Sequence, residues 1–278
     1  MEMTISHDSI DQFLKFRSRN GSPLNTTKAY GADLKLLLQW AMERDLTTTN
    51  LEEVTSQYLT ENKKPSGAGY GPATIRRKKS AFRAYASFVG EQILTTYNTP
   101  KPPPGQPHPV PGGAETIDAL IKAARRDYQK ALIALGAFCG LRVSESVAVR
   151  AEDFDFSGDT IVLRVYGKGG KTRDIPVSAD TWEILVPAWS VAVNVKDDTR
   201  LVPINNRGAR KTITRIGNRI GIAVASHDLR SWFATMVYEQ SNYDPFVTQE
   251  LMGHASQDTT RLYTQINNKR KVQAVEFH

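Results

Sequence analysis

The sequence predicts a mainly α-helical chain with one small antiparallel β-sheet, divided into a helical N-terminal domain and a larger mixed C-terminal domain. Three observations carry this. Apolar residues recur at three- and four-residue spacing through the first third of the chain, a proline tract then interrupts the pattern, and an alternating run at 160–165 is flanked by glycine turns within an otherwise helical second half.

In the first part, Ile10, Phe13, Leu14 and Phe16 mark one helix. Tyr30, Leu34, Leu37, Leu38 and Ala41 mark a second, behind a cap expected at Asn25 or Thr26, and Leu51, Val54, Tyr58 and Leu59 mark a shorter third. A fourth is expected over about 74–89, with the apolar stripe Ile75, Phe82, Tyr85, Ala86 and Val89. Arg76, Arg77, Lys78, Lys79 and Arg83 take much of its remaining surface without one carboxylate in the segment. A basic helix face is ordinarily a solvated one, but cations this dense and unopposed favour phosphate contacts for these five residues.

Pro100, Pro102, Pro103, Pro104, Pro107, Pro109 and Pro111 follow. Such density forbids helix and favours extended polyproline II, so residues 99–113 read as a semi-rigid linker between domains at 1–98 and 114–278. Beyond it, helices are expected at 115–124, 129–139 and 144–149. A meander comes next, with strands near 153–156, 160–165 and 172–177 joined by turns at Ser157-Gly158-Asp159 and Gly167-Lys168-Gly169-Gly170-Lys171, before helical segments return. The glycine-lysine turn lacks the spacing of a phosphate-binding P-loop and precedes a strand rather than a helix, which disfavours a nucleotide triphosphatase.

Composition narrows the function further. The chain has 278 residues, 40% of them hydrophobic, a formal charge of +7 and a pI near 9.4, which suits a soluble protein with real cores and an anionic partner. Cys139 is the single cysteine and sits in an apolar run, so a disulfide or a cysteine-based zinc site is excluded and a buried small hydrophobe is expected. No leader-like start and no long apolar run is visible, so a cytoplasmic location without membrane contact is expected.

Chemistry concentrates in five short stretches: Gly140-Leu141-Arg142-Val143-Ser144-Glu145, the Lys168 turn, His227-Asp228-Leu229-Arg230, Leu251-Met252-Gly253-His254, and Tyr263. Taken singly, each has an ordinary role. Arg142 could pair with Glu145 on the next turn, His227 and Arg230 could be a surface pair, His254 a helix cap, and Tyr263 a half-buried aromatic. Together they offer two guanidiniums to clamp a phosphodiester, histidines to move protons, and a phenol to attack phosphorus.

This ordered set resembles the catalytic box of the tyrosine recombinase (phage integrase) family. The resemblance is specific for residues 113–278; residues 5–95 resemble the family's helical DNA core-binding domain through length, helical pattern and charge. Ser231-Trp232 and Met252 depart from the usual residues without touching the core set.

The resemblance implies transesterification on double-stranded DNA. Tyr263 would form a 3′-phosphotyrosyl intermediate, Arg142 and Arg230 would hold the non-bridging oxygens, and Lys168 would protonate the leaving 5′-oxygen. His227 would assist proton movement and His254 would hydrogen-bond the phosphate. No cofactor and no metal are expected. Four copies would assemble on two DNA sites, each reaching a neighbour through a C-terminal segment at 267–278. The expected role is integration or excision of a phage or mobile element. A chromosome-dimer resolvase and a type IB topoisomerase-like relaxing enzyme are the alternatives.

Overall fold

The computed structural model describes residues 5–46, 50–61, 67–99, 110–167, 170–195 and 199–253. The chain divides into two compact units, Met1–Pro104 and Gly105–His278. Residues 100–109 of the proline tract lie outside the described residues.

The first unit is four helices: α1 (His7–Arg19), α2 (Leu24–Met42), α3 (Leu51–Glu61) and α4 (Pro72–Phe88). Helix α1 starts at Ser6, whose hydroxyl accepts from the Ser9 backbone N–H while Ser9 reaches back to the Ser6 backbone N–H. Helix α2 begins earlier than expected: Pro23 is its cap, so Asn25 and Thr26 lie inside the first turn. The core joins Ile10 and Phe13 to Leu34, Leu37, Val54, Tyr58, Phe82 and Tyr85. Phe16, expected in this set, is exposed and tilts against Phe88 with ring centroids 5.1 Å apart.

Lys78 corrects the sequence reading, because it is buried in this core and cannot face DNA. Counted along α4, it is three residues after Ile75 and four before Phe82, which places it on the apolar stripe despite its charge. The burial is compensated. Its Nζ lies 3.2 Å from Asp33 Oδ1 and donates to the Tyr58 hydroxyl at 3.0 Å, while the Tyr70 ring centroid lies 4.5 Å away. Arg77 binds the other Asp33 oxygen at 2.5 Å, and Lys79 donates to the Tyr97 carbonyl. Arg76, Arg77 and Arg83 are exposed.

The second unit is built around α6 (Asp127–Ala137), in which every residue from Ala131 to Ala137 is buried. A helix apolar on all sides must be enclosed; α5 (Gly113–Ala123), α8 (Ala179–Val193), α9 (Asn206–Arg219) and α10 (Ser226–Gln240) pack around it, as does the single-turn helix α7 (Val143–Ser146). Helix α6 stops two residues before the expected end, and Cys139 is buried just beyond it. Strands β1 (Phe154–Asp155), β2 (Ile161–Tyr166) and β3 (Thr172–Val177) form one antiparallel sheet in that order, with Leu163 opposite Ile175 and Val165 opposite Arg173. Helix α11 (Pro245–Met252) packs on α10 and β3. No helix among the described residues is long and apolar enough to cross a membrane.

Candidate active site

The site begins at the turn after α6. Gly140 has φ +65° there, and a Cβ on it would lie 2.2 Å from Phe233 Cδ1 of α10, so only glycine fits. That close approach brings the start of α7, which carries Arg142, beside the α10 turn that carries Arg230.

Glu145, on α7, is the hub. Its carboxylate accepts the Arg142 backbone N–H at 2.9 Å and Arg142 Nη1 at 2.8 Å. It also accepts Arg173 Nη2 at 2.8 Å and Arg173 Nη1 at 3.3 Å, while Arg230 Nη1 stands 3.8 Å away. Burial pushes the Glu145 carboxyl up, but the Arg173 hydrogen bonds and those from Arg142 outweigh it and hold the group at about 2. It is therefore ionised at neutral pH. Three guanidiniums share this one carboxylate, which leaves an excess of positive charge facing whatever anion enters.

Arg142 is the exposed member, with 44% of its side chain accessible, and is placed to meet a ligand from solvent. Arg230 is buried; it donates to the Gly140 carbonyl and, through Nη2, to the Met252 carbonyl at 2.5 Å. His227 is exposed on the first turn of α10, at the positive end of the helix dipole, which favours an anion. Asp228 caps the same turn by accepting the Ala225 N–H at 2.7 Å. Arg142 and Arg230 are thus brought together around Glu145, and the anticipated Arg142–Glu145 pairing exists as part of that cluster rather than in place of it. Lys168, His254 and Tyr263 lie outside the described residues.

Sequence reasoning missed Arg173. It lies in phase with the buried Ile175 and Val177 on β3, so it is turned towards the core face, where only a carboxylate partner makes a guanidinium tolerable. Its Nε donates to the Leu251 carbonyl at 2.9 Å. Gly253 ends α11 with φ +60°, and a Cβ there would stand 3.0 Å from Arg173 Cδ. A second omission is α9, where Arg207, Arg210, Lys211, Arg215 and Arg219 are all exposed and no acidic residue accompanies them. The same charge count that singled out α4 was available here.

The pattern of the Phage integrase family matches residues 114–270. The chain is 29% identical to the tyrosine recombinase XerA of Pyrococcus furiosus, covering 99% of this chain and 95% of the relative. Among solved structures it is similar to XerH site-specific recombinase bound to difH substrate, with TM-score 0.67 and 23% identity over 98% of this chain and 84% of that one. It is also similar to a lambda integrase tetramer bound to a Holliday junction, with TM-score 0.69 and 17% identity over 96% and 79% of the two chains.

Proposed function

The chain belongs to the phage integrase family of site-specific tyrosine recombinases, and on that premise we propose that it cuts and rejoins double-stranded DNA through a phosphotyrosyl bond at Tyr263. The observation that carries the reading is the convergence of Arg142 and Arg230, 88 positions apart in the chain, on the single buried carboxylate of Glu145.

In this mechanism the Tyr263 oxygen attacks phosphorus, giving up its proton with help from His227, and the bond to the 5′-oxygen breaks. Lys168 supplies that oxygen with a proton. Arg142 and Arg230 offset the charge that builds on the non-bridging oxygens, a kind of fixed donor whose removal typically costs about 10²–10³ in rate. His254 adds a hydrogen bond to the same group. The new 5′-hydroxyl strand end then attacks a partner's phosphotyrosyl bond, so energy is conserved without a cofactor.

Residues 1–98 act in this reading as a core-binding domain and residues 114–278 as the catalytic domain. The exposed Arg76 and Arg83 of α4 and the five exposed cations of α9 supply phosphate contacts from the two units. Four copies assemble on two duplexes, with residues 267–278 reaching a neighbour; the lambda integrase tetramer on a Holliday junction, alike in fold, supports this assembly. Integration or excision of a phage or mobile element is the favoured role. The near full-length likeness to a relative named XerA supports chromosome-dimer resolution as the second reading.

Tyr263→Phe is the test. It abolishes covalent DNA attachment on denaturing gels while duplex binding stays within a few-fold of wild type. An adduct that persists in the variant means another residue attacks. Trapped strand ends mapped on a duplex library identify the site, and two-site substrates that yield recombinants separate this enzyme from one that only relaxes DNA.

A further inference from the structure

We propose that Arg173 is a positioning residue of the cleavage reaction: one largely covered side chain that holds the lysine hairpin, the guanidinium clamp and the end of α11 in a common register. The proposal rests on the Tyr263 cleavage reading. Three elements meet at this side chain. Its backbone belongs to β3 and pairs with Val165 of β2, which fixes it to the hairpin whose turn carries Lys168. Its two Nη atoms grip both oxygens of Glu145, the carboxylate that also orients Arg142. Its Nε holds the Leu251 carbonyl in the last turn of α11, two residues before Gly253 and three before His254.

The geometry needs an arginine. A guanidinium presents donors along two edges of a rigid plane, so one edge meets the carboxylate while Nε faces the carbonyl. An ammonium supplies the same charge from a single point and cannot span both. Side-chain exposure of 9% means that Arg173 has little surface to offer DNA, so its effect passes through the groups it holds. The last carbonyls of α11 have no partner within their own helix, and Arg173 and Arg230 take one each. Loss of either hold lets the α11 end drift relative to the clamp, and a displacement on the order of 1 Å at a reacting centre is enough to cost about 10²-fold in rate.

The experiment compares Arg173→Lys, Glu145→Gln and the double variant with wild type by single-turnover formation of the covalent complex on a nicked trapping duplex. The rate at saturating DNA and the half-saturating DNA concentration are read separately. Arg173→Lys is expected to lower the saturating rate about 10²-fold and move the half-saturating concentration less than threefold. The double variant should react no more slowly than Glu145→Gln alone, because the two side chains act as one unit.

A wild-type rate for Arg173→Lys overturns the proposal. So does a raised half-saturating concentration at unchanged rate, which would make Arg173 a DNA contact. Losses that multiply in the double variant show two independent structural effects and also overturn it. Should Arg173→Lys fail to fold, Glu145→Asp decides, since it leaves Arg173 in place but shortens the carboxylate arm; it is expected to show the same split between rate and binding, and a normal rate refutes the idea. Tyr263→Phe runs alongside: an adduct in that variant breaks the cleavage reading itself, whatever the Arg173 variants do.

Discussion

Gly140→Ala tests whether the turn between α6 and α7 is wedged or merely bent. The added Cβ would stand 2.2 Å from Phe233 Cδ1 and 2.6 Å from Cε1, in a backbone held at φ +65°. Left-handed backbone costs a residue with a Cβ roughly 1–2 kcal/mol, and overpacking a closed site adds about 1–3 kcal/mol, so a loss of about 2–5 kcal/mol is expected. Gly221 is the internal control: it lies in the same unit, has φ +72°, and has nothing within 4 Å of its Cβ position, so Gly221→Ala should cost only the backbone part. For a unit of this size each kcal/mol moves the melting midpoint by about 2–4 °C, which separates a shift on the order of 10 °C from one near 4 °C. Tryptophan fluorescence is a suitable probe, since Trp182, Trp189 and Trp232 all lie in the C-terminal unit. Phe233→Leu should soften the penalty in a double-mutant cycle, because the opposing ring is what the Cβ meets. Equal losses for the two alanine variants would refute the wedge and with it the account of how Arg142 is brought to Arg230.

Two further outcomes follow from the charged residues. Lys78→Met should destabilise the N-terminal unit by about 3 kcal/mol in urea melts, since it strips a buried carboxylate of one cation, yet leave the salt dependence of DNA binding unchanged. Arg76→Ala or Arg83→Ala should do the reverse, each lowering the slope of log affinity against log salt by about 0.9; a reduced slope for Lys78→Met would place that ammonium at the DNA after all. Glu145 sets an acid limit. Its folded value of about 2 lies below the usual 4.5, so its stabilisation is fully present above pH 4.5 and disappears as pH falls towards 2. Wild type should therefore exceed Glu145→Gln by roughly 3 kcal/mol at pH 6, and the gap should narrow in denaturant melts at pH 3. A gap that stays constant with pH would show that the carboxylate is not held ionised by its guanidiniums.

The elements that the sequence exposes are those whose pattern and chemistry agree. The meander was legible because Leu163 and Val165 alternate with the exposed Arg164 and Tyr166 between glycine turns, and the structure finds β2 at Ile161–Tyr166 and β3 at Thr172–Val177. Lys78 and Arg173 show where the reading slipped. Both occupy positions that periodicity assigns to the interior, one on the Ile75–Phe82 stripe and one in line with Ile175 and Val177, but their charge was allowed to overrule their spacing. Their partners, Asp33 and Glu145, are distant in sequence, and a buried ion pair is invisible until the chain brings both halves together. Arg142 and Arg230 were recognisable from their motifs, whereas the carboxylate that gathers them was seen only as a local neighbour.

Cys139 gives the chain a practical property. Burial pushes its thiol up to about 12, so at neutral pH it is almost wholly protonated as well as out of reach. The native sequence is consequently silent towards maleimides and disulfide reagents. A cysteine introduced at an exposed position such as Thr214 on α9 or Ser80 on α4 becomes the one addressable thiol, and a dye or a DNA-tethered cross-linker attached there reports which face meets the duplex.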